Sequence, residues 1–267
     1  MTTIRVKAGQ PAFVHNRGLK IVKNTLFACD WRDAAVAFIQ TGGDLVLENC
    51  GISGGHGPQI FGGNFQWLQG YTAGETKKYP AGYYGDLLRG MRAGSVTLKG
   101  LRFTHTCVGE TMARAMGAKL VRLEDCELNN SGHPSKEVIQ MRHVDQVQII
   151  DCDLADSIVF GVLPAKDCKS AKEIAAYHGD AKARRIRAYI GGKSRIWGHV
   201  RVTGQADVVA EWTQMMAKDR RKDSRGRSIS GDSAFMLTTI GGIAKPTLKV
   251  SNIRNVGGWP KIEPGAK

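Results

Sequence analysis

From Val121 to Leu128 the chain alternates apolar and polar residues, breaks for one residue, and resumes the alternation in shifted phase. Val121 and Leu123 hold the apolar positions before the break, Cys126 and Leu128 those after it, and Asp125 sits between. A period of two marks an extended strand with one buried face, so the stretch predicts two short strands joined by a one-residue bend. A bend that tight needs positive φ, which Gly, Asn and Asp adopt far more readily than bulky or β-branched residues. The unit recurs without a gap at 47–52, 98–103 and 149–154, and more loosely at 22–27. The predicted corners are Asn24, Asn49, Gly100, Asp125 and Asp151, separated by 25, 51, 25 and 26 residues. The step of 51 equals two periods, or one period plus an insertion.

A leucine-rich repeat would show a helical half with three- and four-residue apolar spacing, and a propeller blade would need about 40 residues or more. Neither fits, which leaves an all-β solenoid: a parallel β-helix with rungs of about 25 residues, each stacked on the one before. Inward side chains at equivalent positions then form ladders. Val22, Leu47, Leu98, Leu123 and Ile149 precede the corner, and Phe27, Ile52, Phe103, Leu128 and Leu154 follow it.

The pattern aliphatic-x-aliphatic-x-Asn-x-x-aliphatic, met by Asn49 directly and by Asp125 and Asp151 conservatively, resembles the rungs of the right-handed parallel β-helix proteins of the pectate-lyase-like superfamily. That superfamily includes polysaccharide lyases, glycoside hydrolases and many phage tailspikes. The resemblance covers roughly residues 18 to 256. It implies a single-stranded right-handed coil, but the fold alone carries enzymes, adhesins and inert parts alike.

Along the chain, residues 1–17 are expected to cap the first rung, 18–256 to form the coil, and 257–267 to be an irregular tail. Insertions are expected near 54–82, 166–190 and 207–231. The first is rich in glycine and aromatic residues, among them Trp67, Tyr71 and Tyr79. One or two short helices are expected: Ser170–His178, rich in Ala and Lys, and Asp207–Lys218, which reads as a helix or an irregular strand. The last rung is expected near 234–240 and 248–253.

Composition adds three constraints. The net charge of +14 invites a nucleic-acid reading. No helix-turn-helix, zinc-finger or aromatic RNA-binding signature accompanies the basic runs around Arg184, Arg185, Arg220 and Arg221, so a solvated loop or a face docking on an acidic surface is preferred. Six cysteines occur without zinc spacing. Cys50, Cys126 and Cys152 share one repeat position with Leu101 and read as small buried hydrophobes, whereas Cys29, Cys107 and Cys168 fall outside that ladder. No apolar run has the length of a signal peptide or a membrane span, so a chain made in the cytoplasm, as virion parts are, is expected.

The sharpest catalytic candidates are Glu127 and Asp153, two residues past the corner in adjacent rungs and so expected to face outward about 4.8 Å apart at the backbone. A retaining glycosidase holds its carboxyls about 5–5.5 Å apart, but any two acids at one ladder position of a β-helix fall near that distance. No metal or cofactor site is expected. The function expected is therefore a non-catalytic structural or attachment protein of a phage virion, such as a decoration, spike or baseplate part. Trp67, Tyr71, Tyr79, Arg184, Arg185, Arg220 and Arg221 would be its docking residues. Partners would be other virion proteins, further copies in a trimer, or a surface polysaccharide. The alternative is a polysaccharide hydrolase or lyase.

Overall fold

The structure, a computed structural model, describes residues 1–7, 10, 12–29, 38–40, 42–53, 59–61, 94–103, 113–116, 118–128, 139–142, 144–154, 158–161, 185–204, 206–216, 234–239, 245–256, 262 and 264–266. Alternating patterns in these residues become three all-parallel sheets, in which each strand pairs with strands one turn earlier and one turn later. The first face holds β3 (Leu19–Lys23), β6 (Asp44–Glu48), β9 (Ser95–Lys99), β12 (Leu120–Glu124), β15 (Gln146–Ile150), β18 (Ile186–Gly191), β21 (Ala206–Glu211) and β24 (Thr247–Ser251). The second holds β1 (Thr2–Val6), β4 (Thr25–Cys29), β7 (Gly51–Ser53), β10 (Arg102–Phe103), β13 (Glu127–Leu128), β16 (Asp153–Leu154), β19 (Arg195–Ile196), β22 (Gln214–Met216) and β25 (Arg254–Val256). The third holds β2 (Val14–His15), β5 (Ile39–Gln40), β8 (Gln59–Phe61), β11 (Ala113–Met116), β14 (Ile139–Arg142), β17 (Ile158–Gly161), β20 (Val200–Thr203), β23 (Phe235–Thr238) and β26 (Pro264–Ala266). Strands that recur on three faces in strict rotation make a parallel β-solenoid.

Every predicted corner has left-handed backbone: φ is +50° at Asn24, +51° at Asn49, +62° at Gly100, +50° at Asp125 and +54° at Asp151. Each corner amide donates to the carbonyl that ends the next first-face strand, as from Asn49 to Lys99 at 2.9 Å and from Asp125 to Ile150 at 3.1 Å. The corner thus turns the chain and also fixes the height of the next rung. Asn49 further donates through Nδ2 to Asn24 Oδ1 at 2.6 Å. The step of 51 residues is one rung plus an insertion, because β6 pairs directly with β9 and β7 with β10. Three further corners complete the series: Gly192, Trp212 and Asn252, with φ of +70°, +52° and +52°.

The ladders form in the predicted register. Val22, Leu47, Leu98, Leu123, Ile149, Ile190, Ala210 and Val250 stack in order on the first face. The six inner members are fully buried, and Val22 and Val250 are half-buried because, among the described residues, no further rung covers them. On the second face Ile4, Phe27, Ile52, Leu128, Leu154, Ile196 and Met215 stack likewise, and Phe103 holds the register position between Ile52 and Leu128. At the start of the coil Phe13 stacks on Phe38 with centroids 5.2 Å apart, and the Lys20 amine lies 4.7 Å above the Phe13 ring. Lys20 stands at an inward position of the first rung, and the open end of the coil lets its amine escape burial.

The residue after the corner plays two parts. Thr25, Cys50, Cys126, Cys152 and Thr213 are all buried, and each donates to the carbonyl two residues back, the one that closes the first-face strand. Ser194 does the same from a turn with one extra residue, donating to Gly191 at 2.7 Å. The cysteines are therefore small buried side chains, as expected, and also members of a Thr/Cys/Ser donor series that the alternation alone does not reveal. Burial pushes the Cys50 thiol up, and the neighbouring Cys126 thiol together with burial pushes Cys152 further up.

Three expectations are corrected. The segment 207–216 is not helical: it forms most of β21, a left-handed corner and β22. Its Ala, Glu and Met favour a helix in isolation, but pairing of β21 with β18 and β24 overrides propensity. Residues 186–190, expected in an insertion, lie in β18 and carry the first-face ladders onward. The tail is not irregular throughout, because Pro264–Ala266 pairs with β23. Gln59–Phe61, inside the insertion expected near 54–82, form β8 and pair with β5 and β11; the rest of that insertion and the expected helix at 170–178 lie outside the described residues. Residues 1–17 contribute β1 and β2, which pair with β4 and β5.

Carboxylates tie rungs together as well. Asp44 accepts from the Ser95 amide at 2.6 Å and the Ser95 hydroxyl at 2.9 Å, across a 51-residue separation, and these bonds hold its carboxyl below the usual range. Lys23 meets Glu48 at 2.5 Å and Lys99 meets Glu124 at 3.5 Å. The Lys23 contact likewise depresses Glu48.

These contacts give three tests. Asn49→Ala should lose about 1–2 kcal/mol in urea unfolding and Asn49→Gly distinctly less, since only glycine keeps the positive φ at little strain; equal losses would count against the corner argument. Alkylation at about pH 8 should spare Cys50 and Cys152 in the folded protein and label both once it is denatured, as peptide mapping would show. For pH, a depressed folded-state carboxylate contributes stability above its unfolded value that vanishes as pH falls through the folded value. The stability of the wild type and of Asp44→Asn should therefore differ near neutrality and converge below about pH 4. Parallel curves would mean that the Ser95 contacts do not stabilise the ionised Asp44.

Candidate functional site

The two-residue strands of the second face direct their first residue outward and their second inward. This sets Arg102, Glu127, Asp153, Arg195, Gln214 and Arg254 in one outer ladder, in that order. With about 4.8 Å between rungs, the stretch from Arg102 to Gln214 spans roughly 19 Å. Together with the corner residues Asp125 and Asp151 and the adjacent Lys193, it lines an open polar groove of about 470 Å³. Cys126 and Cys152, whose side chains are buried, also border it.

Glu127 and Asp153 are register partners in that groove, as their spacing implies. The chain also brings a cation to each. Arg102 Nε lies 3.8 Å from Glu127 Oε2, and its Nη2 donates to both oxygens of the Asp125 carboxylate, at 3.2 and 3.3 Å. Arg195 pairs with Asp153, whose other oxygen accepts from the Trp197 indole at 2.8 Å. Asp151 Oδ1 accepts from the Lys193 amide at 2.8 Å. The ladder therefore reads plus, minus, minus, plus. Among the described residues, neither carboxylate sits in an apolar pocket of the kind that prepares a general acid. The chemistry this arrangement offers is a row of fixed hydrogen-bond donors and acceptors, with charge of both signs.

Of the expected docking residues, Arg185 is described and is already engaged. Its guanidinium grips Asp207 through two bonds of 2.7 and 2.8 Å and donates to the Lys245 carbonyl at 2.8 Å. Asp207 also accepts from the Thr247 hydroxyl, and the Arg185 bonds hold its carboxyl below the usual range. This group joins the strands of three successive rungs. Trp67, Tyr71, Tyr79, Arg184, Arg220 and Arg221 lie outside the described residues. Among the described residues, no three His, Cys, Asp or Glu side chains converge to hold a metal ion.

Trp212 is the residue that sequence reasoning missed. It occupies a corner, the position held elsewhere by Asn, Asp or Gly, with φ of +52°. A bulky side chain there is strained by about 1–2 kcal/mol. Packing does not compensate, for the indole is 64% exposed. Trp212 stands two residues before Gln214, which lines the groove; Trp212 is not itself one of the lining residues. Aligning Val208 and Ala210 with Val147 and Ile149 would have placed it at the corner, but no tryptophan was expected in a left-handed turn.

Compared with family models, with curated proteins and with solved structures, the chain matches none.

Strain without packing makes a prediction about stability. Trp212→Gly should leave the unfolding midpoint unchanged or raise stability by up to about 1 kcal/mol, because relief at the corner exceeds the added freedom of the unfolded chain. A clear loss of stability would show that the indole is a structural contact.

Proposed function

We propose that this chain is a non-catalytic attachment protein whose second-face flank, from Arg102 to Gln214, binds a surface glycan. The observation that carries the reading is Trp212, an exposed indole held in a strained corner two residues before Gln214, which lines the polar groove. Strained residues that persist without local compensation concentrate at functional sites. A sugar offers an apolar C–H face that stacks on an indole and a rim of hydroxyls that bond to carboxylates, guanidinium groups and amides, and the groove and its edge carry both kinds of partner. The net charge of +14 favours an acidic glycan. A place in a phage virion, as a decoration or spike that docks on other virion proteins, is supported by the rung pattern's resemblance to tailspike coils.

A second reading, glycan cleavage, is favoured by one observation, the register pairing of Glu127 with Asp153. One experiment separates the two. Wild type, Trp212→Gly, Glu127→Gln and Asp153→Asn are tested against acidic and bacterial surface polysaccharides, with binding and the release of reducing or unsaturated ends followed together. Attachment predicts binding without release, weakened about tenfold or more by Trp212→Gly, the loss expected for a central aromatic anchor. Release abolished by Glu127→Gln or Asp153→Asn would replace attachment with hydrolysis or elimination. No binding across the panel by well-folded protein would remove the glycan reading.

A further inference from the structure

The two ends of the coil are built differently, and the difference lies in the edge strands. In the first face, β24 ends the sheet at one side with Thr247, Lys249 and Ser251 outward, a polar edge of the kind that resists unplanned pairing. At the other side β3 ends the sheet with Leu19 and Ile21 outward, 63% and 53% exposed. Val14, in the first strand of the third face, is 60% exposed. Apart from Trp212, the large exposed apolar residues among those described are therefore confined to the first 21 positions.

The main chain of β3 is open on the same side. The Gly18 carbonyl and the Asn24 amide bond to the second rung. By the alternation of a parallel ladder, the main-chain groups of Leu19 and Ile21 then face away from it. Among the described residues no strand pairs with that edge.

Charge selects the occupant. Residues 1–29 contain Arg5, Lys7, Arg17, Lys20 and Lys23 and not one Asp or Glu. Two copies meeting by this end would set basic against basic. A copy offering its other end would bring β24, with Lys249 on it and Lys245 and Arg254 beside it, to the same basic surface. A free strand edge calls for main-chain pairing, which neither a nucleic acid nor a lipid headgroup supplies.

We infer that the first rung is a docking end that takes an extended acidic segment of another protein as an added strand on β3. Its apolar residues would pack against Leu19 and Ile21, and its carboxylates would meet Arg17, since Lys23 already meets Glu48 and Lys20 rests over Phe13. The inference is independent of what the flank groove binds.

The test uses the full chain with two labelled peptides, one alternating valine with glutamate and the other valine with lysine. Binding is read by fluorescence anisotropy at low salt, and amide exchange is read at Leu19 and Ile21. The glutamate peptide should bind at least about tenfold more tightly than the lysine peptide and slow exchange at those two amides. Ile21→Asp and, separately, Arg17→Glu should each weaken it, with unchanged melting temperature showing that the rung is intact. Arg17→Glu leaves β3 itself untouched, so it remains informative if Ile21→Asp disturbs the rung. Equal binding of both peptides, no binding by folded protein, or protection elsewhere on the coil would overturn the inference. So would displacement of the peptide by duplex DNA or phosphatidylserine vesicles with no protection at Leu19 and Ile21, which would reveal general attraction to anions. A solution mass that rises with concentration and falls back in Ile21→Asp would assign the edge to a second copy instead.

Discussion

The left-handed corner is the constraint on which this molecule depends. One residue at positive φ joins the first-face strand to the second, and its amide reaches the carbonyl at the end of the next strand of the first face. Bend and rise are therefore set by the same residue. With the bend repeated from Asn24 to Asn252 and the amide bond from Asn24 to Asp151 and again at Trp212, inward side chains fall over inward side chains, and the core becomes a set of columns with contacts between neighbouring rungs. The small donor after the corner reinforces this. It fills the narrow angle inside the bend and supplies a hydrogen bond to the carbonyl that ends the strand.

A coil of this kind satisfies its main chain along its flanks and leaves it open only at its ends. Features that go against this economy are therefore informative. Trp212 places a bulky side chain in a conformation suited to glycine and then exposes it. The strand β3 leaves apolar side chains beside an unpaired edge, whereas its counterpart β24 does not. The paired acids of the outer ladder differ in kind. Flanked by Arg102 and Arg195, Glu127 and Asp153 fit a charge sequence that holds register, and they need no reaction to account for them.

The corners at Asn24, Asn49, Gly100, Asp125 and Asp151 were legible because few residue types tolerate positive φ, so backbone geometry leaves a mark on composition. The columns were legible because a buried strand face must be apolar at every second position. The later rungs were harder to read. An extra residue in the Gly192 turn shifts the phase, and Trp212 breaks the residue rule for corners. The Ala, Glu and Met of 206–216 carry helix propensity that stacking overrules. Of the candidate site, the pairing of Glu127 with Asp153 was visible, since it follows from the period alone. The engagement of Arg185 by Asp207 was not, because it depends on where a side chain 22 residues away comes to rest.

The sequence by itself determined the period, the corner positions of the regular rungs and the identity of the inward columns, since each is a local rule applied at a fixed spacing. Only the tertiary structure decided which insertion the repeat skips over, which cation answers each carboxylate, and which indole stands exposed at a strained corner. Those features arise between rungs, where contact depends on how far each turn climbs and on which loops intervene. A one-dimensional pattern records the spacing of a solenoid, while its surface chemistry is set by neighbours that become adjacent only when the chain is wound.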